Sequence, residues 1–240
     1  MHLVYAIVSA PLFAGVLFLI CCPLILLLPT LRWRRAMGRL SVRLSLGVIG
    51  VPIRVRGRQH LPAGPCVAVA NHTSYLDGLV LTAALPGHFT FMVQDGAASW
   101  PFVGAVLRRM GVAFINRTAV REGARQTRAL MKRLAQGEAL AIFAEGTFAD
   151  TPGLLPFKTG AFLLAARADV PVLPVVIRGT RRLLGEGRRS LRWSVVEIEI
   201  LPPQVATGSD RDAVATLRDR VRADIARHCG EPDKGPSGAD

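Results

Sequence analysis

Val67-Ala68-Val69-Ala70-Asn71-His72-Thr73-Ser74-Tyr75-Leu76-Asp77-Gly78-Leu79-Val80-Leu81-Thr82-Ala83-Ala84 passes from an apolar run through a polar turn into a second apolar run. The first run, Val67–Ala70, is short and β-branched at alternate positions, which predicts a buried strand. The second, Leu76–Ala84, predicts a helix. A strand feeding a helix through a tight turn is the repeating unit of α/β folds. The rest of the chain keeps that rhythm. Strands are expected at Ile53–Arg56, Phe89–Val93, Ala113–Asn116, Leu140–Ala144, Val172–Ile177 and Val195–Ile200. Helices are expected at Pro101–Met110, Val120–Gln136, Lys158–Arg167 and Arg211–His228, the last with Val214, Leu217, Val221 and Ile225 at helical spacing. The fold class expected is α/β, a mixed, largely parallel sheet flanked by helices, preceded by a membrane-anchoring helical segment. At 240 residues, half of them hydrophobic, the chain can build one sizeable core.

The turn also carries candidate chemistry. On a continuous helix His72 and Asp77 would sit about 140° apart, sharing no face. With Ser74 as N-cap and Asp77 at the third helical position, His72 lies on the preceding turn. Its imidazole can then fold back onto the carboxylate. Asp77 would hold one ring nitrogen while the other takes a proton from a hydroxyl. Ser74-x-x-Asp77 also fits a capping-box-like pattern, a purely structural use of the same residues.

Toward the N-terminus, Leu3 to Leu31 contains no charged residue, long enough to cross a bilayer. A cleaved signal peptide fits poorly, because Met1-His2-Leu3 lacks a basic start and the arginines follow the run. Pro11, Pro23 and Pro29 leave two geometries open, a tilted single span or two shorter helices within one leaflet. No Asp or Glu precedes Asp77, whereas Arg32, Arg34, Arg35, Arg39, Arg43, Arg54, Arg56 and Arg58 crowd the stretch after the anchor. That collar suits anionic headgroups and predicts a cytoplasmic main domain. Trp33–Ile49 is expected to be an amphipathic helix. The domains expected are 1–50 for anchor and basic helix, 51–228 for the α/β domain, and 229–240 as a flexible tail.

The net charge of +13 would also attract nucleic acid, but aromatic residues are only 6% of the chain and no stacking platform is evident, so no nucleic-acid partner is expected. Cys21, Cys22, Cys66 and Cys229 form no CxxC and no metal spacing with the five histidines, so no metal site is expected. A hydrolase using the His–Asp pair would lack a Gly-x-Ser-x-Gly elbow and depend on water as nucleophile.

Four blocks in order resemble the lysophosphatidic acid acyltransferase (1-acylglycerol-3-phosphate acyltransferase) family and its glycerolipid acyltransferase relatives. Asn71-His72-Thr73-Ser74-Tyr75-Leu76-Asp77 resembles the His-x-x-x-x-Asp signature. Gly111-Val112-Ala113-Phe114-Ile115-Asn116-Arg117 is similar to the acceptor-binding block ending in Arg. Phe143-Ala144-Glu145-Gly146-Thr147 is similar to Phe-Pro-Glu-Gly-Thr, and Val170-Pro171-Val172-Leu173-Pro174-Val175 to Val-Pro-x-x-Pro-Val. The resemblance covers roughly Val51 to Pro203. It implies His72 as general base and Asp77 as its partner in acyl transfer from a thioester to a lysophospholipid hydroxyl, most directly 1-acylglycerol-3-phosphate. Asn71, Ser74, Arg117, Glu145, Gly146, Thr147 and Lys158 are the implied substrate-binding residues, with Arg117 on the acceptor's phosphate. No cofactor is implied. The donor would be acyl-CoA, through its phosphates, or an acidic acyl-carrier protein, either of them suiting Arg178, Arg181, Arg182, Arg188 and Arg189. The implied place is a membrane, the bacterial inner membrane, with the site facing the cytoplasm. Phe148 and Gln94 stand where many phosphatidic-acid-forming members have cations. That opens a lysophosphodiester or lyso-ornithine lipid as acceptor, alongside a non-catalytic lipid-binding relative.

Overall fold

The computed structural model describes residues 2–115, 120–149, 151–184 and 190–235. Helix α1 (His2–Ala14) continues through a π-helical segment (Gly15–Cys21) into α2 (Cys22–Leu27). Leu3–Leu27 is thereby one apolar helix of 25 residues, long enough to cross a membrane. Pro23 lacks an N–H and its ring crowds the carbonyl of Leu19, so the wider π turn just upstream absorbs a conflict that would otherwise kink the helix. The break falls at Pro29 instead. Thr30 caps α3 (Leu31–Val48), its hydroxyl accepting from the Trp33 N–H at 3.4 Å. Helix α3 packs back along the first helix, and the Tyr5 hydroxyl donates to the Ile49 carbonyl at 2.9 Å, closing the hairpin's open end.

The arginine collar is only partly a surface feature. Arg35 is buried and donates to the carbonyls of Met110 and Gly87, to Thr90 Oγ1, and to Glu138 at 3.1 Å. Burial works to raise the Glu138 carboxyl's pKa, but the Thr90 hydroxyl and the Arg35 guanidinium hold it below its ordinary value. Arg34 donates to the Leu28 and Pro29 carbonyls, and Arg43 twice to the Ala83 carbonyl. The physical reason is common to these three. Helix ends leave carbonyls without intrahelical donors, and a guanidinium carries several donors on a long stem. The outward side of α3 instead presents Trp33, Leu40, Leu44 and Val48, so its exposed surface is more apolar than a basic headgroup face would be.

Among the described residues seven strands follow: β1 (Ile53–Arg56), β2 (Val67–Ala70), β3 (Phe89–Gln94), β4 (Ala113–Ile115), β5 (Ala139–Phe143), β6 (Val172–Arg178) and β7 (Val196–Ile200). Their order is β1-β7-β6-β2-β5-β3-β4, antiparallel between β6 and β7 and parallel at every other pairing. The intervening helices are α4 (Asp77–Ala84), α5 (Val103–Arg109), α6 (Val120–Ala135), α7 (Gly160–Arg167), α8 (Thr180–Leu184) and α9 (Arg211–Cys229). The expected class, a mixed and largely parallel sheet with helices, is the observed one.

Strand alternation separates two cores. Ala68 and Ala70 face the hairpin and α4, packing in one cluster with Phe13, Leu17, Val42, Leu46 and Leu81. Val67 and Val69 face α6, α7 and α9, among them Leu134, Phe162 and Val221. The expected boundary after residue 50 therefore cuts the chain but not the core. The described part of the expected tail is tied to the domain. Gly230 ends α9 in the left-handed region, at φ 71°. Residues 231–234 then lie along the segment before α7: the Leu154 N–H donates to the Pro232 carbonyl at 2.8 Å, and Arg222 forms an ion pair with Asp233. Positions 236–240 lie outside the described residues.

Candidate active site

Parallel strands end together, so β2, β5 and β6 deliver three turns to one edge of the sheet, with Ala70 in register with Phe143 and Val175. Such an edge is where open α/β sheets gather functional groups. Asn71 prolongs the β2–β6 ladder by one residue. Its side-chain amide donates to the Ile177 carbonyl at 2.9 Å and accepts from the Ile177 N–H at 2.7 Å. Fully buried, and with carbonyl and NH2 both engaged by the backbone, Asn71 builds the turn and does not face a substrate. That corrects its expected binding role.

His72 and Asp77 meet as expected, though by a different local device. Nδ1 of His72 lies 2.9 Å from Asp77 Oδ2, and the same oxygen accepts the N–H groups of Thr73 at 2.6 Å and Ser74 at 2.9 Å. Helix α4 begins at Asp77 itself with Leu76 as N-cap, so of the expected capping box only the bond from the Ser74 N–H to the Asp77 carboxylate forms. Ser74 is buried; its hydroxyl donates to the Leu184 carbonyl and accepts from the Leu76 N–H at 3.1 Å. Its expected substrate contact is likewise replaced by a scaffolding one. Asp77 is fully buried, and its Oδ1 has no hydrogen-bond partner among the described residues. A carboxylate on Nδ1 fixes that nitrogen as the protonated one and leaves Nε2 as the acceptor.

Glu145 follows β5 and is also buried. One oxygen accepts the His72 N–H at 2.6 Å, the other the Leu155 N–H at 2.8 Å. Burial pushes its carboxyl up to about 7, against those two donors and the nearby Arg181. Both Glu145 oxygens are thus spent on backbone N–H groups, one of them that of His72. Gly146 takes φ 74°, which a side chain would adopt only under strain, and the Lys158 stem lies across it. Thr147 and Lys158 are exposed beside this turn. Arg117, expected on the acceptor's phosphate, lies outside the described residues.

The aromatic surround has little sign in the sequence. The His72 ring stacks on Phe143 with centroids 4.1 Å apart and planes at 13°. Phe148 tilts against it at 4.4 Å, and Tyr75 meets Phe148 edge-on at 4.8 Å. Phe148 stood out only as a departure from a family pattern. Tyr75 had no signal beyond its place inside the motif. Two arginines expected to greet an acidic carrier are engaged within the chain. Arg178 bonds Glu199 at 2.9 Å and the His228 carbonyl, and Arg181 bonds Glu231 at 2.8 Å. Arg188 and Arg189 lie outside the described residues.

An imidazole with one nitrogen anchored by a carboxylate and the other available, half-enclosed by aromatic rings, can take a proton from a hydroxyl brought to Nε2. Comparison with known proteins bears on which hydroxyl. A family model described as Acyltransferase matches residues 52–178. The chain is 33% identical over 175 residues to the 1-acyl-sn-glycerol-3-phosphate acyltransferase alpha of Ovis aries, covering 72% of this chain and 61% of that protein. It is 32% identical over 224 residues to the lyso-ornithine lipid O-acyltransferase of Brucella abortus (strain 2308), covering 80% of this chain and 82% of that one. The crystal structure of the 1-acyl-sn-glycerophosphate (LPA) acyltransferase from Thermotoga maritima superposes with a TM-score of 0.77 over 95% of each chain at 22% identity, a likeness of fold.

Proposed function

The chain belongs to the acyltransferase family that includes these lysophosphatidic acid and lyso-ornithine lipid enzymes, and from that premise we propose that it acylates a lysolipid hydroxyl. The acceptor we favour is 1-acylglycerol-3-phosphate, giving phosphatidic acid in phospholipid biosynthesis. The observation that carries this is the 2.9 Å contact of His72 with Asp77 at the carboxyl edge of the sheet. Nε2 takes the acceptor's hydroxyl proton as that oxygen attacks the thioester carbonyl. The C–O bond forms, the C–S bond breaks, and the imidazolium returns its proton to the departing thiolate. Asp77 stabilises the imidazolium between those events. Arg117 is assigned to the acceptor's phosphate on its sequence block alone.

A second acceptor has its own support. Phe148, packed on His72, places an apolar ring where a phosphate monoester would gain from a cation, and the Brucella abortus relative is matched over most of its length. A lyso-ornithine lipid is therefore the alternative. Acyl-CoA or an acyl-carrier protein would supply the acyl group. The hairpin would hold the enzyme to the cytoplasmic face of a bacterial inner membrane. Since Phe13 and Leu17, midway along the first helix, pack into the sheet domain, we read it as lying within one leaflet instead of crossing the bilayer.

The test is transfer of labelled acyl groups, from acyl-CoA and acyl-carrier protein, to a panel of lysophosphatidic acid, lysophosphodiesters and lyso-ornithine lipid. A product that falls about 100- to 10,000-fold in His72→Ala, with membrane association kept, is the expected result. Near-normal transfer by that variant removes His72 as base; no transfer to any acceptor by folded wild type sinks the reading.

A further inference from the structure

The ring of Phe148 lies 4.4 Å from that of His72, whose side chain is only 17% exposed. Phe148 stands on the segment after β5, and part of what holds that segment comes from the far end of the chain. Arg181 donates from Nη1 to the carbonyl of Ala149, the residue after Phe148, at 2.7 Å. Its Nε donates to Glu231 Oε1 at 2.8 Å, and Glu231 Oε2 accepts the Gly153 N–H at 2.7 Å. One carboxylate thus fastens the turn at residue 149, through an arginine, and directly at residue 153. Lys234 adds its ammonium to Thr151 Oγ1 at 2.6 Å. Side-chain exposure of Arg181 and Glu231 is 15% and 14%, so the fastening is largely shielded from solvent.

We propose that Phe148 is a selectivity residue, held over His72 by Glu231 through Arg181, which keeps water from the base so that a lipid hydroxyl is acylated in preference to water. This rests on the acyl-transfer reading above. The competing reaction differs in one reactant: water gives up the proton to Nε2 and its oxygen attacks the thioester, releasing free fatty acid and thiol. Water outnumbers any lipid hydroxyl at a membrane surface, so a base of this kind yields transfer only where water is excluded. An aromatic cover excludes water and admits an alcohol attached to an acyl chain.

The measurement is the ratio of fatty acid released to acylated lipid formed, with long-chain acyl-CoA as donor and both lysophosphatidic acid and lyso-ornithine lipid as acceptors, in the full-length protein. Phe148→Ala should raise that ratio about tenfold or more, while Phe148→Leu, which keeps an apolar cover, should restore most of the wild-type value. Glu231→Ala should shift the ratio the same way by a smaller factor. His72→Ala should lose both products. An unchanged ratio in Phe148→Ala overturns the proposal. A shift in Phe148→Ala with none in Glu231→Ala overturns the role given to the C-terminal segment. Persistence of transfer in His72→Ala would instead undo the reading of function on which this rests.

Discussion

The turns after β2 and β5 leave adjacent parallel strands in register, yet their acidic residues close them differently. The β2 turn closes on itself at its acid, although Asn71, Ser74 and the His72 N–H reach distant partners: Asp77 reaches back three, four and five residues to Ser74, Thr73 and His72. The β5 turn closes on strangers. Glu145 bonds His72 and Leu155, Arg181 bonds Ala149, and the C-terminal Glu231 bonds Gly153. The self-closed part holds the imidazole and its carboxylate together through bonds within six residues, which suits a pair proposed to move a proton. A turn closed by distant partners takes its geometry from the assembled fold, which suits a cover whose position should depend on the finished site.

The sharpest way to break the contrast is Asp77→Asn. Oδ2 serves several N–H donors, while Oδ1 is buried with no partner among the described residues. If the amide oxygen replaces Oδ2, the NH2 group occupies that partnerless position with unmatched donors. The flipped amide sets donor against donor. The ring also loses the charge that stabilises its protonated form. Turnover should fall about 100- to 10,000-fold with little change in acceptor KM. Stability should drop by roughly 1–3 kcal/mol, the cost of an unsatisfied buried group, read as a lower melting temperature in detergent. Full turnover would mean the self-closed turn is scaffold alone.

The β5 turn is tested through pH. Burial raises the Glu145 pKa from 4.5 to about 7, so across that window the folded protein binds the more protons. The group's contribution to stability is complete below the unfolded value and is lost as pH rises through about 7. The loss is on the order of 1–3 kcal/mol. Glu145→Gln stays neutral throughout and should not show it. The melting temperature of the variant relative to wild type should therefore climb between about pH 5 and pH 8. Parallel curves would show that the donors from His72 and Leu155 outweigh burial and keep Glu145 charged.

The same contrast explains what could be read in advance. Val67–Ala70 and Leu76–Ala84 announce strand and helix by composition, and the His72–Asp77 pair is local enough to be legible, even though the expected N-cap was misplaced. Ser74 and Asn71 were visible as motif members, but their jobs were not. Each bonds a backbone group more than a hundred residues away, and local sequence carries no signal of such a partner. Arg35 read as a headgroup arginine because its carbonyl acceptors come from segments 52 and 75 residues on. The fastening of Phe148 was hidden for the same reason, with Glu231 sitting in a Gly- and Pro-rich stretch that looks like a loose end.

The smallest expected effect falls on the hinge of the β5 turn. Gly146 holds φ 74°, and a Cβ there would come 3.1 Å from the Lys158 Cε. Two separable costs follow in Gly146→Ala. The left-handed backbone costs about 1–2 kcal/mol for a residue with a side chain. The crowding costs little, because an exposed lysine stem can swing away. Adding Lys158→Ala should therefore recover only a small part of the lost stability, and Lys158→Ala alone should stay within about 0.5 kcal/mol of wild type. Full recovery in the double variant would make the contact, not the backbone, the constraint, and the β5 turn would then be freer than its distant hydrogen bonds imply. If Gly146→Ala costs nothing at all, the turn can take another path while Glu145 still reaches His72. The distinction between a self-closed and a remotely closed turn would then lie in Glu145 alone.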